Sequence, residues 1–172
     1  RKAAASDTLA TSYILSCAVK KLSPDLVFCG RQAIDGDTAQ VGPQLADKLN
    51  FTLVTYMDEF QGIDAGLLRV KRNIGAGWEV VACQLPALVT VMETANHPRP
   101  KAARKLMKYK KALSAPEVQG AVEKDLPNAT ADAKAAEAAK RIEALKQRGL
   151  LIESWSLEEI AANLDWCGRK GS

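Results

Sequence analysis

The sequence predicts an α/β fold, built on a parallel sheet with an antiparallel hairpin. A short apolar run at residues 26–29 precedes a turn-rich loop, a helical segment and a second β-type run at 53–56, which together form the unit of a parallel sheet. Alternating segments at 67–72 and 78–83 flank a turn at 74–77 and indicate a hairpin with one solvated face. Another apolar run, at 87–92, predicts a further buried strand.

Capping signals place the first two helices. Ser6 or Asp7 can cap a helix that begins at Thr8, and the apolar residues after it recur at helical spacing. Ser23-Pro24 ends this helix, because the residue before proline disfavours the α region. Pro43 lies near the first turn of the second helix, where a missing N–H has no consequence.

The last third of the chain has a different composition. A basic helix is predicted over residues 101–111, followed by a linker over 114–130 that is rich in Ala, Pro and Gly. Thr130 can cap an Ala-rich helix that ends at Gly149, and Ser156 can cap one last short helix. The Ala-rich seam is too narrow to form a core alone, so we expect it to lie against another surface.

Length and composition suit one globular domain with an appendage. The chain has 172 residues, 47% of them hydrophobic, and its net charge of +4 does not by itself indicate nucleic acid. Its four cysteines lack the spacing of a zinc site, so we interpret them as reduced, structural residues of a cytoplasmic protein. No apolar run approaches the ~20 residues of a membrane span. The terminal residues suggest a piece of a longer protein.

The loop between the first strand and the second helix is the candidate site. Its phosphate donors would be backbone N–H groups from Thr38 to Gly42, helped by the Thr38 hydroxyl and the Gln40 amide. Asp35 and Asp37 would repel a phosphate, so they are assigned to ribose hydroxyls or to capping the next helix. Gly36 and Gly42 would allow close approach or a positive φ. An ordinary strand-to-helix connection remains the alternative.

Several reaction classes lack support in this sequence. The loop has neither the Gly-Lys-Ser/Thr of a P-loop nor the Gly-x-Gly-x-x-Gly fingerprint, so neither NTP hydrolysis nor standard Rossmann NAD binding is indicated. His97 is the only histidine and lies in a Pro-rich loop without a nucleophile signature. No pair of carboxylates stands out, so no catalytic residue and no metal ligand is assigned.

The basic helix after Arg99 has three interpretations. It could be a solvated face, a docking surface for an acidic protein, or a phosphate contact with nucleic acid. Tyr109 is the only aromatic residue among the six basic residues of this helix. A surface that stacks the bases of a single-stranded nucleic acid is therefore poorly supported, and no nucleic-acid partner is assigned.

Four segments that occur in order resemble the β subunit of electron-transfer flavoprotein. They are DTLATS at 7–12, GRQAIDGDTAQVGP at 30–43, LPALVT at 85–90, and NHPR at 96–99 with the basic helix. The nucleotide loop is the specific part of the resemblance, which covers nearly the whole chain. It implies an adenine-nucleotide α-hydrolase-like domain at 1–113, without the family's first strand and helix. Residues 114–172 would then be a linker and an arm that contacts an α subunit.

The resemblance also implies a cofactor site. The β subunit holds FAD in the electron-bifurcating members of the family and AMP in the mitochondrial-type members. The amino-acid sequence of this loop is closer to that of the bifurcating type. Transferred residue by residue, the cofactor-binding positions are Asp7, Thr8, Gly30, Gln32, Ala33, Asp37, Thr38, Ala39, Gln40, Val41 and Gly42. The chain would be an electron carrier, taking electrons from NADH toward a dehydrogenase by way of the FAD of the α subunit. Ferredoxin or flavodoxin would be the second acceptor.

Partner recognition is implied for the basic segment. The matching positions are Arg99, Lys101, Ala103, Arg104 and Met107, which would contact a dehydrogenase of the acyl-CoA type. Ala103 stands where mitochondrial relatives have an apolar anchor, and Pro100 stands where an aromatic residue is common. An AMP-holding β subunit and an ATP-binding regulatory domain remain alternative functions.

Overall fold

The computed structural model describes residues 2–170, which form two compact units. The first comprises residues 2–98 together with 156–170, and the second comprises residues 99–155. This division differs from the expected one at 113/114, since the end of the chain belongs to the first unit. No helix among the described residues has the length and apolar character needed to cross a membrane.

The first unit contains a five-stranded mixed sheet with helices. Its elements are α1 (Thr8–Leu22), β1 (Leu26–Gly30), α2 (Val41–Leu49), β2 (Thr52–Asp64), β3 (Leu67–Asn73), β4 (Trp78–Gln84) and β5 (Ala87–Val91). The strand order is β1-β5-β2-β3-β4. β5 pairs in parallel with β1 and β2, while β2–β3 and β3–β4 are antiparallel. The α/β fold with a parallel sheet and an antiparallel hairpin is therefore confirmed.

Strands β1 and β2 differ from their sequence-based expectations. β2 extends eight residues beyond the run at 53–56. Shifts in its register interrupt the alternation of buried and exposed side chains by which a strand can be predicted from sequence. β1 was expected to be buried but lies at the edge of the sheet, where Phe28 is 52% exposed. An apolar run marks a strand without telling whether it has one neighbour or two.

The core of the first unit surrounds β5. Leu88 on β5 is fully buried against Leu45 and Ala46 of α2, while Val89 belongs to a second cluster on the other face of the sheet. Gly30 at the end of β1 pairs with Val91 at the end of β5. The loops that follow these two strands therefore begin side by side at one edge of the sheet, as expected for neighbouring parallel strands.

Helix α1 begins and ends as predicted. The Ala10 N–H donates to the Asp7 carboxylate (2.8 Å), which makes Asp7 the N-cap. Ser23 adopts a left-handed conformation at the C-cap, and its N–H donates to the Val19 carbonyl. In contrast, the short helix expected at Ser156 is a series of turns, although the Glu159 N–H still donates to the Ser156 hydroxyl (3.2 Å).

The second unit is a small helical structure. It contains α3 (Ala103–Tyr109), β6 (Leu113–Ser114), α4 (Ala115–Asp125), α5 (Ala131–Gln147) and β7 (Leu151–Ile152). β6 and β7 form a short parallel pair, and Val118, Val122 and Ala138 form the buried cluster between α4 and α5. Thr130 caps α5 as predicted.

The linker expected at 114–130 is wrong over residues 115–125, which form α4. Its Ser and Pro residues begin a helix instead of interrupting one. Ser114 and Glu117 form a capping box, and Pro116 lies in the first turn, where proline is well tolerated. The basic helix α3 is also shorter than the expected 101–111.

The capping box makes the stability of α4 depend on pH. The Ser114 N–H and hydroxyl both donate to the Glu117 carboxylate (2.8 and 2.7 Å), and these hydrogen bonds lower the pKa of Glu117. A carboxyl with a lower pKa in the folded state stabilises it above the unfolded-state pKa and stops doing so as the pH falls through the folded-state pKa. We therefore expect helix content to decrease on acidification below about pH 4. Far-ultraviolet circular dichroism would show a smaller decrease in Glu117→Gln.

Candidate functional site

The loop after β1 is tied to the sheet and to itself. The Arg31 N–H donates to the Val91 carbonyl (3.2 Å), so the loop begins against β5. A turn follows in which the Asp37 N–H donates to the Ala33 carbonyl (3.0 Å). The Gln32 side-chain amide donates to the Asp37 carboxylate. Asp37 therefore stabilises the loop from within.

The backbone before α2 leaves a run of donors free. Asp37 and Ala39 have positive φ angles of 48° and 54°, and Gln40 returns to the right-handed region. Such alternation turns successive N–H groups toward one side, forming a concavity suited to an anion. Within residues 2–170, the N–H groups of residues 38–42 donate no hydrogen bond. They lie at the N-terminal end of α2, where the helix dipole also favours negative charge.

Helix α1 brings two further candidates to the same place. The Thr8 hydroxyl donates to the Gln40 side-chain oxygen (2.9 Å), so the beginnings of α1 and α2 lie side by side. One turn further along, the buried Ser12 hydroxyl lies 3.1 Å from the Gln44 side-chain oxygen. Gln40 keeps its amide NH₂ available, because only its oxygen is used.

A cavity of about 660 Å³ opens at the carboxyl ends of β1 and β5. On the loop side it is lined by Gly30, Arg31, Gln32, Ile34 and Asp37. On the β5 side it is lined by Val91, Met92 and Glu93. Ile34 is fully exposed, which is unusual for a large apolar side chain and leaves it available to contact a bound ring.

The structure groups the candidate residues in two sets. Gly30, Gln32 and Asp37 line the cavity. Asp7, Thr8 and Gln40 lie together at the helix N-termini, and the free amides of residues 38–42 adjoin them. Ala33 contributes its carbonyl to the turn. Residues 38–42 do not line the 660 Å³ cavity itself.

Two expected roles in the loop are corrected, and the expectation for Gly42 is confirmed. Neither Asp35 nor Asp37 caps α2, because the N-cap is Gln40 and its side chain makes no capping bond. Gly36 has no positive φ and no close neighbour, and the left-handed positions are Asp37 and Ala39 instead. Gly42 does allow a close approach, but its close neighbour is Thr90 of the sheet.

Gly42 therefore has a structural role that can be tested. A Cβ there would lie 2.9 Å from the Thr90 methyl group, and Thr90 cannot rotate freely since its Oγ1 accepts the Tyr56 N–H (3.0 Å). We expect Gly42→Ala to lower the free energy of unfolding by about 1–3 kcal/mol in urea titrations. Gly36→Ala is the matched control, because its Cβ would meet no atom within 4 Å. Equal stabilities of the two variants would contradict this packing argument.

Sequence reasoning missed residues on the β5 side of the cavity. Met92 and Glu93 follow a strand that runs parallel to β1, and that relation could have identified them. Arg31 also lines the cavity, and its Nε is buried without a hydrogen-bond partner in the described part of the chain. Burial raises the pKa of the Cys29 thiol, which therefore stays neutral beside this cavity. No group of three or more potential metal ligands occurs within residues 2–170.

The basic segment lies in the second unit. Of its candidate residues, Ala103, Arg104 and Met107 lie in α3, while Arg99 and Lys101 precede it. All five are exposed, as are Leu106 and Tyr109. The segment thus presents cations together with uncovered apolar side chains, a combination suited to protein contacts.

Comparison with known proteins gives a consistent result. The sequence model of a family described as "Electron transfer flavoprotein domain" matches residues 1–133. The chain is 40% identical over 126 residues to an electron transfer flavoprotein subunit beta of Clostridium acetobutylicum, covering 73% of this chain and 44% of the relative. It is 37% identical over 147 residues to the corresponding subunit of Megasphaera elsdenii, covering 81% and 50%.

A third relative is named for a complex. It is the caffeyl-CoA reductase-Etf complex subunit CarD of Acetobacterium woodii, 47% identical over 94 residues, with 54% of this chain and 36% of the relative covered. The chain thus spans half or less of the length of each of these relatives.

Proposed function

This chain belongs to the electron transfer flavoprotein family, and from that premise we propose that it is the nucleotide-holding part of a β subunit that binds FAD. In this proposal it holds the cofactor beside an α subunit and takes part in electron transfer toward a dehydrogenase. The adenine-nucleotide α-hydrolase-like class of its fold belongs to the same proposal and is supported by the mixed sheet with its parallel strands.

The free amides of residues 38–42 are the observation that carries the proposal. Backbone donors without partners, at a helix N-terminus and after two left-handed residues, suit the diphosphate of a dinucleotide. Thr38 and Gln40 add side-chain donors, and Thr8 fixes the Gln40 oxygen. The family's cofactor therefore fits the donors that this chain provides.

The cavity can take the remainder of the cofactor. In our assignment Gly30, Gln32 and Ala33 follow the cofactor along the loop, while Asp37 remains an acceptor for hydroxyl groups of its sugar or chain. Bound flavin would supply one- and two-electron redox chemistry, and the protein would supply binding, orientation and exclusion of water. Arg31 would contribute positive charge at the cavity wall.

The electron path is part of the proposal. NADH would be the donor, a low-potential ferredoxin or flavodoxin one acceptor, and the α-subunit FAD followed by a dehydrogenase the other. The relative named for a caffeyl-CoA reductase complex supports a CoA-linked partner. We assign the partner contact to Arg99, Lys101, Ala103, Arg104 and Met107, and the α-subunit contact to residues 114–172. The four free cysteines suit a cytoplasmic setting.

The experiment is a count of cofactors in the intact heterodimer. Visible absorption and chromatography of the extracted nucleotides should give two FAD per heterodimer and no AMP. One FAD with one AMP would support the AMP-holding alternative, because the same amides can bind a single phosphate. One FAD with no second nucleotide would overturn the nucleotide site itself.

A further inference from the structure

A second cavity in the first unit, of about 500 Å³, is lined by residues from three strand ends. Its lining residues are Arg31, Tyr56, Arg72, Asn73, Ile74, Gly75 and Met92. Arg31 follows β1, Tyr56 lies in β2, and the other hairpin residues end β3 and begin its turn. The lining includes two arginines and no acidic residue. This composition favours an anionic ligand.

Both arginines have donors without partners. The Nε atoms of Arg31 and Arg72 are buried from solvent and lack a hydrogen-bond partner among residues 2–170. A buried N–H without an acceptor is unfavourable, and both side chains belong to residues that line this cavity, so an acceptor from outside the described chain would satisfy them. The Nε–H together with a neighbouring Nη–H is the edge of a guanidinium that binds an oxyanion through two hydrogen bonds.

Arg72 is fixed in position by the sheet. One of its terminal nitrogens donates to the Thr55 hydroxyl (3.1 Å), and the other lies 3.6 Å from a Glu79 carboxylate oxygen. Glu79 therefore offsets part of the charge of Arg72, while the Arg31 side chain has no such partner within the described residues. The cavity keeps a positive balance with one guanidinium held in a defined orientation.

Tyr56 enters the lining through an unusual backbone conformation. Its φ is 58°, at the point where the register of β2 shifts between Val54 and Met57. Such angles are uncommon for aromatic residues and occur often at functional sites. The Tyr56 N–H donates to the buried Thr90 hydroxyl (3.0 Å), which holds this conformation in place. Its phenolic hydroxyl is a further donor suited to phosphate.

A side-chain hydrogen bond orders the turn after β3 and orients Asn73. The Asn73 side-chain oxygen accepts the Gly75 N–H (2.7 Å), which leaves the Asn73 amide NH₂ to donate. We propose that Arg31, Tyr56, Arg72 and Asn73 form a binding site for a phosphate group, distinct from the amides of residues 38–42. The site does not depend on the flavin assignment. Because Arg31 and Met92 line both cavities, the phosphate comes either from a nucleotide in the first cavity or from solution.

The test is a calorimetric titration of the full-length protein in its native assembly, freed of nucleotide, with inorganic pyrophosphate. The titration is done with a protein that carries Ala39→Val, because this change disrupts the loop and removes pyrophosphate binding by the amides of residues 38–42. We expect binding that Arg72→Gln weakens at least tenfold and that Arg72→Lys restores only in part, because lysine lacks the two-donor edge. Lys71→Gln is the matched control, since it removes one positive charge at the position next to Arg72. This variant should bind pyrophosphate as tightly as the Ala39→Val protein does.

A second variant guards against a folding effect of Arg72. Tyr56→Phe removes only the hydroxyl and should weaken binding about fivefold. Competition by AMP for the part of the pyrophosphate binding that Arg72→Gln removes, measured without the loop change, would identify the phosphate as that of the bound nucleotide, and the absence of such competition would identify free phosphate. Either result supports the site. It is overturned if pyrophosphate does not bind, or if it binds equally to the parent protein, Arg72→Gln and Tyr56→Phe, whatever the count of flavins.

Discussion

Ala39→Val should remove most of the nucleotide affinity that we propose for this protein. Ala39 has a φ of 54°, and a β-branched side chain strongly disfavours that region. The variant must rotate the peptide groups around residue 39, so the N–H groups of Thr38 and Gln40 no longer converge. Losing one or two hydrogen bonds to a charged group costs about 1.5–3 kcal/mol each, which corresponds to a loss of affinity of roughly tenfold to more than a hundredfold.

Ala39→Gly is the matched control, because glycine adopts a positive φ without steric cost. Apoprotein of both variants would be titrated with FAD and with AMP, and the cofactor retained after desalting would be measured. Thermal unfolding should show a stable fold in both, since Ala39 lies in an exposed loop. The loop assignment would be refuted by an Ala39→Val protein that binds both nucleotides as tightly as Ala39→Gly does.

The sequence predicted elements whose signals are local. Four predicted features depend on neighbours within a few positions and are confirmed: a cap of α1 at Ser6 or Asp7, which is Asp7, the cap of α5 at Thr130, the end of α1 at Ser23, and the hairpin around residue 75. The length of β2 could not be predicted, because its bulges are set by pairing with β5 and β3. The same limit explains β1, whose edge position is a property of the whole sheet.

In the candidate site, too, local features could be predicted from the sequence and long-range contacts could not. The loop could be identified from its position between a strand and a helix, but the role of each residue depends on long-range contacts. Residue 42 must lack a side chain because a Cβ there would contact the Thr90 methyl group. The Asp37 carboxylate accepts a hydrogen bond from the Gln32 amide, and no rule of sequence spacing predicts that contact. Arg72 was noted only as one residue of an alternating strand. Its unsatisfied Nε is visible only in three dimensions.

Charge reversal in the basic segment is expected to slow electron transfer to the dehydrogenase that we propose as a partner. Arg104 is exposed on α3, and the segment from 99 to 113 contains no acidic residue. Opposite charges on two surfaces accelerate their encounter, so Arg104→Glu should decrease kcat/KM for electron transfer to an acyl-CoA dehydrogenase about tenfold at low salt. Because exposed charges are screened over about 8 Å at physiological ionic strength, the difference should narrow as salt is added.

Lys140→Glu is the matched control for this effect. It makes the same change in net charge within the same unit, on an exposed position of α5. If recognition depends on the basic segment, Lys140→Glu should transfer electrons at nearly the parental rate while Arg104→Glu does not. Cofactor content should be the same in both variants, which separates docking from nucleotide binding. Equal slowing of the two would mean that net charge alone governs the encounter, and the docking assignment would then be wrong.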